Sequence, residues 1–182
     1  MKLLHYKKLT IITAISVIIS IVLIFNSCAV SQKIEANGLS YLKTGTKDQK
    51  ILGRKGDNVR IDWGYFYLVG KQDKSTSSSI NDCIITKKEF TEKGKLSGKV
   101  NKGLSDEMDK QMTALALSQE IGKVGSKPVS NMIMLGYDDL YSMQYFGENL
   151  RPWWNSDGKH SIVTEFANAG KEYPALLEKC NQ

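Results

Sequence analysis

The sequence predicts a mainly β protein: part of a β-sandwich with one or two helices at its C-terminal end, preceded by an N-terminal hydrophobic signal or anchor helix. Three observations predict it. Residues 59–69 alternate strictly, with Val59, Ile61, Trp63, Tyr65, Tyr67 and Val69 on one parity, as a half-buried strand of β-branched and aromatic residues does. Short apolar segments punctuated by glycine fill the chain as far as Gly136, and apolar spacing of helical period begins only after Gly158.

The N-terminus comes first in the chain and has its own logic. Lys2, Lys7 and Lys8 carry charge with no acid among them, and residues 9–25 form an unbroken apolar or small run. A basic stub, an apolar stretch and a polar break form a secretory layout. The break is Asn26-Ser27-Cys28, and a cysteine after a small residue at the end of the run is where a bacterial lipoprotein is acylated. Phe25 and Asn26 depart from the usual lipoprotein box, which has Leu or Val and then a small residue there. The alternative is a transmembrane anchor, since 17 residues cover roughly 26 Å as a helix, close to a bilayer core. The position of Cys28 favours lipidation, and with each buried methylene contributing about 0.8 kcal/mol, two or more chains anchor a protein permanently. The expected membrane partner is therefore lipid, held through Cys28 or the 9–25 helix, and the expected location is the bacterial cell envelope, facing periplasm or surface.

Residues 1–27 are thus read as signal or anchor and residues 28–39, polar and without periodicity, as a tether. Beyond the 59–69 strand, residues 70–79 read as a Lys, Asp, Ser and Thr loop and 80–86 as a short strand through Cys83, Ile84 and Ile85. Residues 112–121 and 129–135 read as two further strands joined across Gly122, Gly125 and Pro128. After Gly158, Ile162, Phe166 and Ala169, then Tyr173, Leu176, Leu177 and Cys180, follow helical spacing, with Pro174 suited to a first turn. This stripe has no obvious apolar surface to cover it.

Composition removes several function classes. The formal charge of +6 falls to +3 without the three leader lysines, and the Lys-rich stretch 87–102 also holds Glu89 and Glu92. That is a solvated face, so no nucleic-acid partner is expected. His5 and His160 are the two histidines, too few for a histidine metal site or a Ser-His-Asp triad; no metal or cofactor is expected, and His160 reads as a surface residue at a helix start. Cys83 and Cys180 are able to pair in an oxidising compartment, but their spacing does not argue for it.

The densest candidate site is the aromatic and acidic stretch from Tyr137 to Trp154. Asp138 and Asp139 are weak catalytic candidates, because adjacent strand residues point to opposite faces and paired glycosidase carboxylates stand roughly 5 to 9.5 Å apart across a substrate. Capping of a turn by one and pairing of the other with Arg151 is the structural alternative. Trp153 and Trp154, with Tyr137 and Arg151, are binding candidates, since flat indole faces stack on sugar rings; they serve equally as a hydrophobic plug between domains. Trp63, Tyr65 and Tyr67 read as a core stripe.

Three blocks together resemble a known family: Tyr41-Leu42-Lys43-Thr44-Gly45-Thr46, then Arg60-Ile61-Asp62-Trp63-Gly64-Tyr65-Phe66-Tyr67-Leu68, then the run from Leu135 to Gly147 with Leu150-Arg151-Pro152-Trp153-Trp154. They are similar to the glutaminase A-like proteins of fungi and Bacteroidetes. The resemblance implies a longer architecture, an N-terminal β-sandwich joined to a helical toroid of the six-hairpin glycosidase kind. It places the later part of the sandwich at residues 40–150 and the start of the helical domain at 151–182. The activity it implies is hydrolysis of glutamine to glutamate and ammonia. A toroid site draws on loops of many helices, so a truncated member is expected to be inactive alone, or active only with a protein partner that completes the fold. The rival expectation is an envelope lipoprotein that binds glycan or another protein through its sandwich.

Overall fold

The structure is a computed structural model that describes residues 17–22, 29–53, 63–102 and 112–182. In chain order the elements are β1 (Val17–Val22), β2 (Ala29–Ala36), β3 (Leu39–Thr46), β4 (Tyr65–Lys71), β5 (Thr76–Asp82), α1 (Cys83–Lys93), β6 (Thr113–Gln119), β7 (Met134–Asp138), β8 (Met143–Tyr145), β9 (Glu148–Leu150) and α2 (Ile162–Cys180), with a 3-10 turn at Trp153–Asn155 before α2. One antiparallel sheet runs β2-β3-β4-β7, a second β1-β6-β5, and β8-β9 is a separate hairpin. The mainly β expectation holds.

The two larger sheets meet through side chains of one parity from each. Leu42 and Leu68 from the first pack with Ile80, Leu115 and Leu117 from the second, all at most 1% exposed. Burying each such side chain stabilises the fold by roughly 1.5–3 kcal/mol, so this layer is what joins the sheets. The other face of the four-stranded sheet holds a second cluster, in which Tyr41, Tyr67 and Val69 receive Phe166 from α2, with Ile162 and Val163 alongside. Gly136 makes that docking possible. A Cβ there would stand 2.5 Å from the Phe166 ring, so the ring occupies the space a side chain would fill.

Several expectations change. Residues 29–36 of the expected tether form β2, paired with β3 along its whole length. The signal for this is Asn37-Gly38, with φ of 54° and 73°, a left-handed pair that closes a two-residue hairpin. The strand expected over 80–86 ends at Asp82, and Cys83 begins α1 instead. Asp82 accepts from the Ile84 and Ile85 amides at 2.9 and 3.1 Å, which satisfies the first turn, and Gly94 closes the helix in the left-handed region. β4 lies within and just beyond the expected strand, residues 59–62 being outside the described ones, and β7 begins at Met134, later than expected. Of the 9–25 run, Val17–Val22 is an extended strand on β6, in keeping with five β-branched residues out of six; the rest of the run and Cys28 lie outside the described residues. Pro174 sits inside α2, which continues through it as a single helix.

Candidate functional site

The outer face of the four-stranded sheet is an ordered array set by register. Across one row stand Gly45, Tyr65 and Asp138; across the next stand Lys43, Tyr67 and Gly136. Phe166 lies over Gly136, so α2 covers the second row there, and Asp138 stands in the adjacent row. Lys43 is drawn onto the rings: its ammonium is 3.6 Å from the Tyr65 ring centroid and 5.8 Å from that of Tyr67, within cation–π range. Gly45 keeps this surface flat, because a Cβ there would meet Tyr65 Cδ1 at 2.5 Å.

Burial dominates the titration of these groups. It pushes the Asp138 carboxyl above the ordinary range, with Asp139 adding to the rise and the Leu140 amide, Lys43 and Arg151 opposing it. Burial also lowers the Lys43 ammonium, against the pull of Asp138, and raises the Tyr67 hydroxyl, helped by the Asp138 and Tyr65 charges. Desolvation therefore brings carboxyl and ammonium closer to neutrality. Such perturbation marks binding and catalytic sites and also buried structural pairs.

The loop after β7 is built to hold this corner. Asp138 Oδ1 accepts from the Leu140 amide at 3.1 Å, which is the turn-capping role expected of one of the two carboxylates. The buried Trp63 donates its indole N–H to the Tyr141 carbonyl at 3.1 Å, and the Tyr137 hydroxyl donates to the Trp63 carbonyl. Tyr137 is thereby tied into the scaffold, on the opposite parity of β7 from Asp138. Arg151 stacks its guanidinium 5.0 Å from the Tyr141 ring centroid and reaches Asp138 by charge. Trp63 and Tyr67 are buried as the core stripe requires, while Tyr65 is only half-buried. Lys43 is the site residue that sequence reasoning missed. Its parity with Tyr41 and Gly45 was readable, but its neighbours Tyr65 and Tyr67 come from a different strand.

A second region is apolar. Trp153 is 92% exposed and Phe146 90%, with Tyr145 packed against Phe146 at 4.4 Å between centroids; Trp154 is half-buried. Of fifteen large hydrophobics exposed among the described residues, nine lie between Leu135 and Leu177, which concentrates uncovered apolar surface in about a quarter of the chain. Two open grooves of about 460 and 560 Å³ flank the second half of α2, lined by Met132 and Tyr173 in common, and neither includes Asp138, Lys43 or Arg151. The acid-base groups and these concave surfaces are thus separate.

His160 is exposed just before α2, its Nδ1 3.1 Å from Glu165 Oε1. Cys83 is buried at the start of α1 and Cys180 exposed at the end of α2, and both are free thiols. Among the described residues no group of three or more His, Cys, Asp or Glu is placed to hold a metal, and no helix is long and apolar enough to cross a membrane. One family, described as a domain of unknown function (DUF5127), matches the chain over residues 23–182. No curated protein and no solved structure matches.

Proposed function

From the chain's membership of the DUF5127 family and the layout of its surface, we propose that it is an envelope-anchored, glutaminase A-like sandwich that binds a glycan or a protein partner and does not hydrolyse glutamine by itself. The observation that carries this is the separation of the carboxylates from the grooves, together with exposed Trp153, Phe146 and Tyr145 beside them in sequence. Hydrolysis at Asp138 needs a second acid or base facing it across an enclosed substrate. Asp139 follows directly in the chain, beyond the end of β7, and the neighbours that act on Asp138 from elsewhere in the fold are the cations Lys43 and Arg151. Exposed aromatic side chains such as Trp153, Phe146 and Tyr145 suit polar ligands that also present an apolar face, as sugars and peptide side chains do.

Glutaminase chemistry then depends on a partner that supplies the opposing groups. The test pairs two measurements on the purified chain. Incubation with glutamine is expected to release no ammonia above buffer, whereas a glycan screen is expected to give a signal that Trp153→Ala and Trp154→Ala reduce. Ammonia release that disappears in Asp138→Asn would establish a self-sufficient hydrolase and overturn the proposal. A glycan signal untouched by both tryptophan variants leaves protein binding as the role of this surface.

A further inference from the structure

The edge of the second sheet carries a feature that the envelope reading makes consequential. β6 lies between β5 on one side and β1 on the other, with six register pairs from Val17↔Gln119 to Val22↔Ala114. Such an antiparallel stretch involves about six backbone hydrogen bonds. β1 falls inside the 9–25 run, so a chain cut before Cys28, or one whose run lies in a bilayer, has no β1 to offer. β6 would then be an edge. Its own sequence, Thr-Ala-Leu-Ala-Leu-Ser-Gln, carries no charge or proline of the kind that guards edge strands. Residues 114–119 are all at most 5% exposed with β1 in place, as in a central strand.

We infer that the outer edge of β6 is a strand-acceptor slot and that in the processed protein it takes a β-strand from another polypeptide. This rests on the envelope reading above and identifies where a fold-completing partner would attach. The register states the chemistry of that strand. By the alternation of the pleat, positions of an added strand that pair with Leu115 and Leu117 lie on the side of the sheet where these two leucines join the interior cluster. The incoming strand therefore runs antiparallel to β6, spans about six residues, is uncharged, and carries branched aliphatics at alternate positions. A strand of this kind takes the main-chain pairing that β1 holds with β6 and covers Leu115 and Leu117.

The full chain is produced in a bacterial host, extracted from membranes in detergent and weighed intact. Hydrogen exchange of residues 114–119 is then followed with and without a peptide of residues 16–23 flanked by lysines, and with the same peptide carrying Ile19→Lys and Ile21→Lys. The expected result is a mass lacking residues 1–27, and exchange slowed at least about tenfold by the first peptide and unchanged by the second. At that same mass, exchange that is already slow alone, or that neither peptide or both peptides slow, overturns the slot while processing stands. A mass retaining residues 1–27 overturns the processing reading; if exchange of residues 114–119 is then also slow without peptide, occupation of the slot by another chain is overturned with it.

Discussion

The two halves of α2 are one helix with opposite fates. The first half places Phe166 and Ala167 in the interior, lays Ile162 and Val163 on the sheet, and receives a 3.0 Å hydrogen bond from the Tyr41 hydroxyl to the Val163 carbonyl. The second half repeats the apolar spacing with Tyr173, Leu176 and Leu177, yet all three are exposed, Leu176 at 58%. Pro174 marks the change: it has no N–H for the Gly170 carbonyl, and the helix continues past it on good local formers such as Ala175, Leu176, Leu177 and Lys179. The same periodic signal thus produces core where a flat sheet face is available and open surface where none is. Apolar periodicity reports a helix face; what covers it is a separate matter.

Substitutions that remove the large side chain from each half measure this difference directly. Phe166→Ala is expected to have the largest effect, a loss of about 3–5 kcal/mol, read as a lower denaturant midpoint. A loss under about 0.5 kcal/mol there would show that α2 does not rest on the sheet.

An intermediate effect is expected at Asp138, one row from the Phe166 contact. Burial raises its carboxyl above the ordinary 3.8, so the folded chain holds that proton to higher pH than the unfolded chain does. The stability contribution is full below the ordinary value and is lost as pH rises through the raised one. Asp138→Asn stays neutral and keeps an Oδ1 acceptor for the Leu140 amide. Its stability relative to the parent chain is expected to rise as pH increases from about 3 to 7, as measured by urea midpoints across that range. A constant difference would mean that burial does not act on this carboxyl.

Leu176→Ala is expected to be smallest, within about 0.5 kcal/mol for the isolated chain, by the same midpoint measurement. A loss near that of Phe166→Ala would place the second half of α2 in a packed environment.

Much of the architecture was legible because it follows from local rules. The alternation at Tyr65, Tyr67 and Val69, the apolar run around Leu115 and Leu117, and the helical spacing from Ile162 each announce an element whose existence the structure shares. α1 was missed since its apolar pattern is weak: Cys83, Ile84 and Ile85 read as strand, and the decisive part was the Asp82 cap with Gly94 eleven residues beyond Cys83. β2 was missed since Ser31, Gln32, Lys33 and Glu35 look like a tether, although Asn37-Gly38 carried a hairpin signal. Of the site, Asp138, Arg151, Trp153 and Trp154 were picked from composition, whereas Lys43 and the rows that bring it near Asp138 depend on strand register.

By itself the sequence determined the β-rich class, the late helix, the scarcity of histidine, and the basic, apolar N-terminal run, because each depends on residue type, count or period. Only the tertiary structure decided which face of the sheet α2 covers, that Phe166 fits over Gly136, that Lys43 lies on Tyr65 within reach of Asp138, and that β6 has a strand on each side. Those outcomes depend on pairing between segments far apart in the chain, where a shift of one residue sends every side chain to the opposite face.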